Sequence, residues 1–154
     1  MAKDNRYWDA DVFLGYFNQE AGKVEKCEGV LKAAANKQIL IVTSALTLAE
    51  VLWMKGQPKM DPAKRKRIER FFKQPYIHVI NVTRRIAEDA RDLVWDHKVK
   101  PKDAIHVATA LVSGVSVLNT FDQGLLDLDE IVGAPPLRIE IPHEPFQQPM
   151  KLYP

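Results

Sequence analysis

Gln38-Ile39-Leu40-Ile41-Val42-Thr43-Ser44-Ala45-Leu46-Thr47-Leu48-Ala49-Glu50 joins an unbroken, β-branched-rich run to a helix that starts on a hydroxyl residue. A strand with one wet face alternates polar and apolar residues. Gln38 to Val42 does not alternate, which is the pattern of a parallel strand covered on both faces. Thr43 or Ser44 then caps a helix. Its stripe of Leu46, Ala49, Glu50 and Trp53 runs on until Gly56 and Pro58 end it. Glu50 shares that apolar stripe, and an unpaired buried carboxylate costs several kcal/mol. It needs a cation, either an Arg or Lys partner or a metal ion.

Outward from this stretch the same alternation of element types repeats. A short strand ends near Asp9, and Val12, Phe13, Tyr16 and Phe17 follow with helical spacing. A second helix is expected from about Gln19 to Asn36, with Gly29 as a tolerated weak point. Asp61-Pro62 opens another helix, with Asp61 as cap and Ile68, Phe71 and Phe72 facing inward. Tyr76 to Val82 reads as a strand, and Thr83 caps a helix with Ile86, Ala90, Leu93 and Val94 inside. Pro101 opens a helix to Ser113, with Ile105, Ala108, Thr109 and Val112 on one face and Gly114 as its stop. Val115 to Asn119 is a fourth strand. Leu137 to Ile141 is a fifth, reached through Gly133-Ala134-Pro135-Pro136. Strands alternating with helices predict an α/β fold with a central, mostly parallel sheet of four to five strands flanked by helices in three layers.

A chain of 154 residues, 46% hydrophobic and 27% charged, fits a single domain. We expect that domain over residues 1–141, followed by an extended arm over 142–154 that carries four prolines. With no long apolar run and no signal-like start, a cytoplasmic protein away from membranes is expected. A single cysteine, Cys27, excludes an internal disulfide and multi-cysteine zinc sites. The net charge of +2 says little about partners, so the position of the charges matters more.

In an open parallel sheet, ligands bind beyond the carboxyl ends of the strands. Asp9 follows the first strand, Glu50 lies about two helical turns beyond the second, and Asp122 comes just after the fourth. Asp103 occupies the first turn of its helix, where the helix dipole favours a negative charge. Singly, each has an ordinary role as a cap, a turn residue or an ion-pair partner. Together they would repel and raise one another's pKa unless a divalent ion intervened. Oxygen ligands select Mg2+ or Mn2+, as one ion or two. The expectation is that the four carboxylates converge within a few ångströms.

Four segments carry a resemblance: Asp9-Ala10-Asp11-Val12-Phe13-Leu14, Thr43 to Leu52, Asp103-Ala104-Ile105-His106-Val107-Ala108-Thr109-Ala110, and Asn119-Thr120-Phe121-Asp122. In this order and spacing, over residues 6 to 141, they resemble the motifs of PIN-domain ribonucleases, most of all the small toxins of the VapC type. The resemblance implies a PIN-like fold and a Mg2+-dependent endoribonuclease that uses a metal-activated water. It also implies an antitoxin partner and a homodimer. Asp9, Glu50, Asp103 and Asp122 correspond to the family's acidic quartet. Thr43 or Ser44, together with Thr120, fall where the family uses hydroxyls. Asp11 stands where the family often has Asn, and Ala10 where it often has Thr or Ser. Asp11 is then a further ligand or the cap of the following helix, and the cap is favoured.

His106, one turn after Asp103, reads first as a satisfied core histidine and second as a group that orients a carboxylate or meets a phosphate. Asp127, Asp129 and Glu130 read as a solvated acidic loop. For RNA, Lys98, Lys100 and Lys102 lie near Asp103, and Lys66 and Arg70 stand on a basic helix stripe that is either a solubilising face or a groove wall. Single-stranded or looped RNA suits such a site, because unstacked nucleotides expose the scissile phosphate. Tyr16, Trp53 and Trp95 are read as core packing before base stacking. Two other functions compete. Asp9-x-Asp11 fits a haloacid-dehalogenase-type phosphatase, although no Gly-Thr pair or late Gly-Asp motif follows and Glu50 is left idle. A catalytically silent RNA- or protein-binding module would use the acids only structurally.

Overall fold

The computed structural model describes residues 4–51 and 60–145, so Trp53, Gly56 and Pro58 lie outside the described residues. In chain order the elements are β1 (Arg6–Trp8), α1 (Ala10–Phe17), α2 (Val24–Ala35), β2 (Ile41–Ser44), α3 (Ala45–Val51), α4 (Pro62–Phe72), β3 (Ile77–Ile80), α5 (Arg84–His97), α6 (Pro101–Ser113), β4 (Val117–Asn119), α7 (Gln123–Leu126) and β5 (Arg138–Glu140). The strands form one sheet in the order β3-β2-β1-β4-β5, and each of the four pairings is parallel. The chain winds one way from β1 through β2 to β3, then returns past β1 to build β4 and β5. The direction of winding therefore reverses between β1 and β4, and the crevice at their carboxyl ends is the place such sheets use for ligands.

The period of two along each strand divides the core. Tyr7, Val42, Leu118 and Ile139 face the side covered by Val107 and Ala110 of α6. Trp8, Ile41 and Ile77 face the side covered by α1, α2 and α4, where Phe13, Val30 and Ile68 are buried. Phe13, Phe17, Phe71 and Phe72 knit α1 to α4 by edge and tilted ring contacts. The Trp8 indole donates to Asn119 Oδ1 at 3.1 Å, tying β1 to β4 beside the crevice. Cys27 is buried with its thiol pKa pushed up to about 12 by that burial, as expected of an inert structural cysteine.

Several boundaries differ from the periodicity. α2 starts at Val24, because Gln19 and Gly22 take left-handed backbone conformations and the chain turns there. β2 starts at Ile41 rather than Gln38 and runs on to Ser44, so Thr43 is a strand residue whose hydroxyl donates to the Trp8 carbonyl at 2.7 Å. Ser44 makes the cap, accepting from the Leu46 N–H at 3.0 Å. α6 is buried nearly all round by α5 and the sheet, through Ala104, Val107, Ala108 and Ala110, whereas Val112 is exposed. Trp95 also faces solvent, 68% exposed with Arg91 over its ring, so it is not a core residue. α7, over Gln123–Leu126, ends just before the supposed acidic loop. In that loop Asp129 is not merely solvated, since it accepts from the Ile139 N–H at 2.7 Å and anchors β5. Gly29 gains a reason, since a Cβ there would stand 3.0 Å from Glu144 Cβ, where the start of the C-terminal segment crosses α2.

Gly133, just before β5, has φ +93°, and a Cβ there would lie 2.7 Å from Leu111 Cδ2. Backbone strain and overpacking combine, so Gly133→Ala should lower stability by about 2 kcal/mol. Thermal unfolding measures this, and an unchanged midpoint would contradict the packing described.

Candidate active site

Asp9 leaves β1 and caps α1. One carboxylate oxygen accepts from the Val12 N–H at 3.4 Å, and the other accepts from the Thr120 hydroxyl at 2.6 Å. Thr120 follows β4 directly, and its hydroxyl also accepts from the Asp122 N–H at 3.0 Å. One side chain thus ties the ends of β1 and β4 together and sets the relative positions of two acids. Asp122 caps α7 by accepting from the Leu125 N–H at 3.2 Å. The cap of α1 is therefore Asp9 and not Asp11. Asp11 lies inside the first turn, where its carboxylate reaches across to the Phe121 N–H at 3.3 Å.

Glu50, on α3, meets His106 of α6, with Oε1 and Nε2 2.9 Å apart. The other ring nitrogen of His106, Nδ1, lies 2.7 Å from the Tyr7 hydroxyl. His106 and Tyr7 are both buried. The stripe read on α3 is not its buried face, since Thr47 and Val51 are buried while Ala49 is exposed and Glu50 is partly buried, and the partner of Glu50 is a histidine rather than an Arg or Lys. Asp103 and His106 are three residues apart, on one side of α6. Tyr7 lies on β1 and Asp9 two residues on, just past its end. Those spacings were readable, but which strand face α6 covers was not.

Asp9, Asp11, Glu50, Asp103 and Asp122 line one cleft of about 610 Å³, together with His106, Lys100 and Lys102. An adjoining hollow of about 200 Å³ shares Lys100, Asp103 and Asp122 and adds His97 and Lys98. Of the remaining residues singled out, Ser44 serves α3 as its cap. Lys66 and Arg70 are exposed on α4 and line neither space. The quartet is gathered on one side of the sheet, but as the wall of a shared cleft and not as a closed cage. Among the described residues, no three His, Cys, Asp or Glu side chains form a ready coordination shell.

The crowding of acids registers in their protonation. Burial, then hydrogen bonding and charge from Asp11, hold the Asp9 carboxyl well above the ordinary aspartate range, against the opposing bonds from Thr120 and Val12. Burial and the charge of Asp122 raise Asp103, while His106 and Lys100 oppose the rise. Tyr7 is also raised well above its usual value by burial and by Asp9, so its hydroxyl keeps its proton. Carboxylates that resist ionisation beside one another, with only oxygen donors among them, suit a hard divalent cation, which would favour the charged forms. The donor set therefore fits Mg2+ or Mn2+.

Among the described residues, no helix is long and apolar enough to cross a membrane. No curated protein matches the sequence. Solved structures share the fold at low identity. A toxin-antitoxin complex from Klebsiella pneumoniae is 23% identical with a TM-score of 0.59, covering 76% of this chain and 86% of that one. VapC20 of Mycobacterium tuberculosis, a toxin that cleaves the sarcin-ricin loop, is 17% identical with a TM-score of 0.61, covering 77% and 90%. VapBC2 of Rickettsia felis, bound to a DNA fragment from its promoter, is 13% identical with a TM-score of 0.64, covering 88% and 96%. The sequence itself matches the PIN domain family over residues 6–131. With that match spanning most of the chain and the parallel sheet ordered around an acid-lined crevice, this chain belongs to the PIN domain family.

Proposed function

We propose that the chain is a Mg2+- or Mn2+-dependent endoribonuclease, the toxin of a toxin-antitoxin pair. The observation that carries this reading is the single cleft walled by Asp9, Asp11, Glu50, Asp103 and Asp122 and edged by Lys100 and Lys102. Asp9, Glu50, Asp103 and Asp122 would hold one or two divalent ions. Bound there, such an ion supplies a water of lowered pKa and offsets charge on the phosphoryl oxygens. Thr120 keeps Asp9 turned into the crevice, and Asp11 adds a further carboxylate at its edge. Lys100 and Lys102 draw in the phosphodiester backbone, with Lys98 behind them in the adjoining hollow. The toxin assignment draws support from the toxin and toxin-antitoxin proteins that share the fold. By the same likeness, its partner is a protein antitoxin, and the family resemblance of the motifs adds a second copy of the chain.

The test is cleavage of single-stranded and hairpin RNA by purified protein with Mg2+, with Mn2+ and with chelator. Cleavage with either ion and none in chelator supports the proposal. No cleavage of any RNA under any condition overturns it. Charge reversal locates the RNA path. Lys100→Glu and Lys102→Glu should weaken RNA binding and each reduce its salt slope by about one. Lys66→Glu and Arg70→Glu, on the outer face of α4, should change it far less. Equal effects from both pairs would move the RNA path onto α4.

The haloacid-dehalogenase alternative loses its ground. Glu50 has a place in the cleft that the alternative leaves unused, and the sequence matches the PIN domain family instead. A silent binding module predicts that divalent ions neither bind nor stabilise the protein, which thermal unfolding with and without Mg2+ or Mn2+ decides.

A further inference from the structure

We infer that Tyr7 and His106 are positioning residues, forming a buried line that holds the Glu50 carboxylate in place to receive a divalent cation. The inference deepens the metal-dependent reading and rests on it. The line crosses three elements: the Tyr7 hydroxyl on β1, both ring nitrogens of His106 on α6, and Oε1 of Glu50 on α3, with separations of 2.7 and 2.9 Å. His106 is 2% exposed and Tyr7 is fully buried, so water does not compete for the bond between them, while the Glu50 end of the line opens onto the cleft.

The proton positions follow from the partners. An ionised carboxylate only accepts, so His106 Nε2 carries the hydrogen that bonds Glu50. In the neutral ring Nδ1 is then a lone-pair acceptor, and the Tyr7 hydroxyl donates to it. The carboxylate thus sets the imidazole tautomer, and the tyrosine, bonded to Nδ1, fixes the ring that in turn positions the carboxylate. Glu50 needs this help more than the other acids. Asp9 and Asp122 are fixed by helix caps and Asp103 by its short side chain in the first turn of α6. The Glu50 carboxylate stands at the tip of a long side chain on α3, with several rotatable bonds. The bond to His106 occupies Oε1 and leaves Oε2 for a cation.

The experiment compares wild type, Tyr7→Phe, His106→Ala and His106→Gln by calorimetric titration with Mn2+ and by RNA cleavage kinetics. Circular dichroism establishes that each variant is folded. Partners that orient a ligand typically contribute about 10- to 100-fold to metal affinity, so Tyr7→Phe and His106→Ala should bind Mn2+ more weakly by that factor. They should lose kcat with little change in KM for RNA, because the lysines still hold the substrate. His106→Gln keeps an N–H for Oε1 and should recover most of the affinity, which a purely space-filling role would not predict. The ¹⁵N spectrum of the imidazole in wild-type protein should show Nε2 protonated and Nδ1 bare, a readout that needs no variant to fold. A wild-type ring protonated at Nδ1, or folded Tyr7→Phe and His106→Ala proteins that bind Mn2+ as tightly as wild type, would overturn the inference alone. Wild-type protein that neither binds Mn2+ nor cuts RNA would overturn the metal-dependent reading and this inference with it.

Discussion

Asp103→Asn should reduce RNA cleavage roughly a thousandfold, the scale of losing about 4 kcal/mol of electrostatic stabilisation in the transition state. The fold should survive, because Asp103 is half-buried at the mouth of α6 and its neighbours are other acids and Lys100. The same variant carries a signature in stability. The folded carboxyl is raised above the unfolded value, first by burial and then by Asp122. Native protein therefore holds on to a proton that the unfolded chain has released, and in chelator wild-type stability falls as pH rises from about 4 through the folded pKa. Asparagine does not ionise. In chelator Asp103→Asn should thus melt above wild type at neutral pH, and the advantage should vanish below about pH 4. Near wild-type cleavage by this variant would remove Asp103 from the chemistry. A melting difference independent of pH would instead mean that its environment is not the crowded one described.

The second large effect is stabilisation by the ion itself. A ligand that binds only the native state at 100 times its dissociation constant adds about 2.7 kcal/mol. For a chain of this size that is a rise of roughly 5 to 10 °C in the unfolding midpoint. Thermal unfolding with Mg2+ or Mn2+, against chelator, measures it. Two controls give it meaning. Ca2+ at equal concentration tests whether the cleft prefers the smaller ions. Asp103→Asn, already relieved of part of the repulsion in the cleft, should gain much less from any of them. If neither Mg2+ nor Mn2+ moves the wild-type midpoint, the acids are structural and the binding-module reading takes over. The gain is expected to be large because the acids that would hold the ion destabilise one another in its absence.

Much of the architecture was written in local patterns. The unbroken Ile39-Leu40-Ile41-Val42 run required a strand covered twice, and the sheet has helices on both faces. Asp61-Pro62, Thr83 and Pro101 marked helix starts that the structure reproduces. Errors arose where a tertiary partner outweighs local preference. Thr43 extends β2 because its neighbours on β3 pair with it and its hydroxyl finds the Trp8 carbonyl. α7 is a single short turn held by Asp122, too brief to show a period. Val112 was assigned inward because periodicity reports which residues share a helix face, not which face a neighbouring helix covers. Trp95 was assigned to the core on residue type, which says nothing about whether a partner is there.

Asp9, Asp103 and Asp122 were legible because each sits beside a strand end or helix start that leaves its own mark in the sequence, and Glu50 because it follows β2 by about two helical turns. Once the sheet is parallel, those ends must lie on one edge. The sequence by itself therefore determined the parallel α/β plan, the family and the set of carboxylates that could meet. Tertiary structure alone decided how they meet: Asp9 tied to Asp122 through Thr120, Asp11 reaching Phe121 rather than capping its helix, and Glu50 held by a histidine 56 residues away. Caps and strand runs are made by neighbours in the chain and leave periodic traces. A hydrogen bond between residues on α3 and α6 depends on how two helices pack around one strand, and no local pattern encodes that.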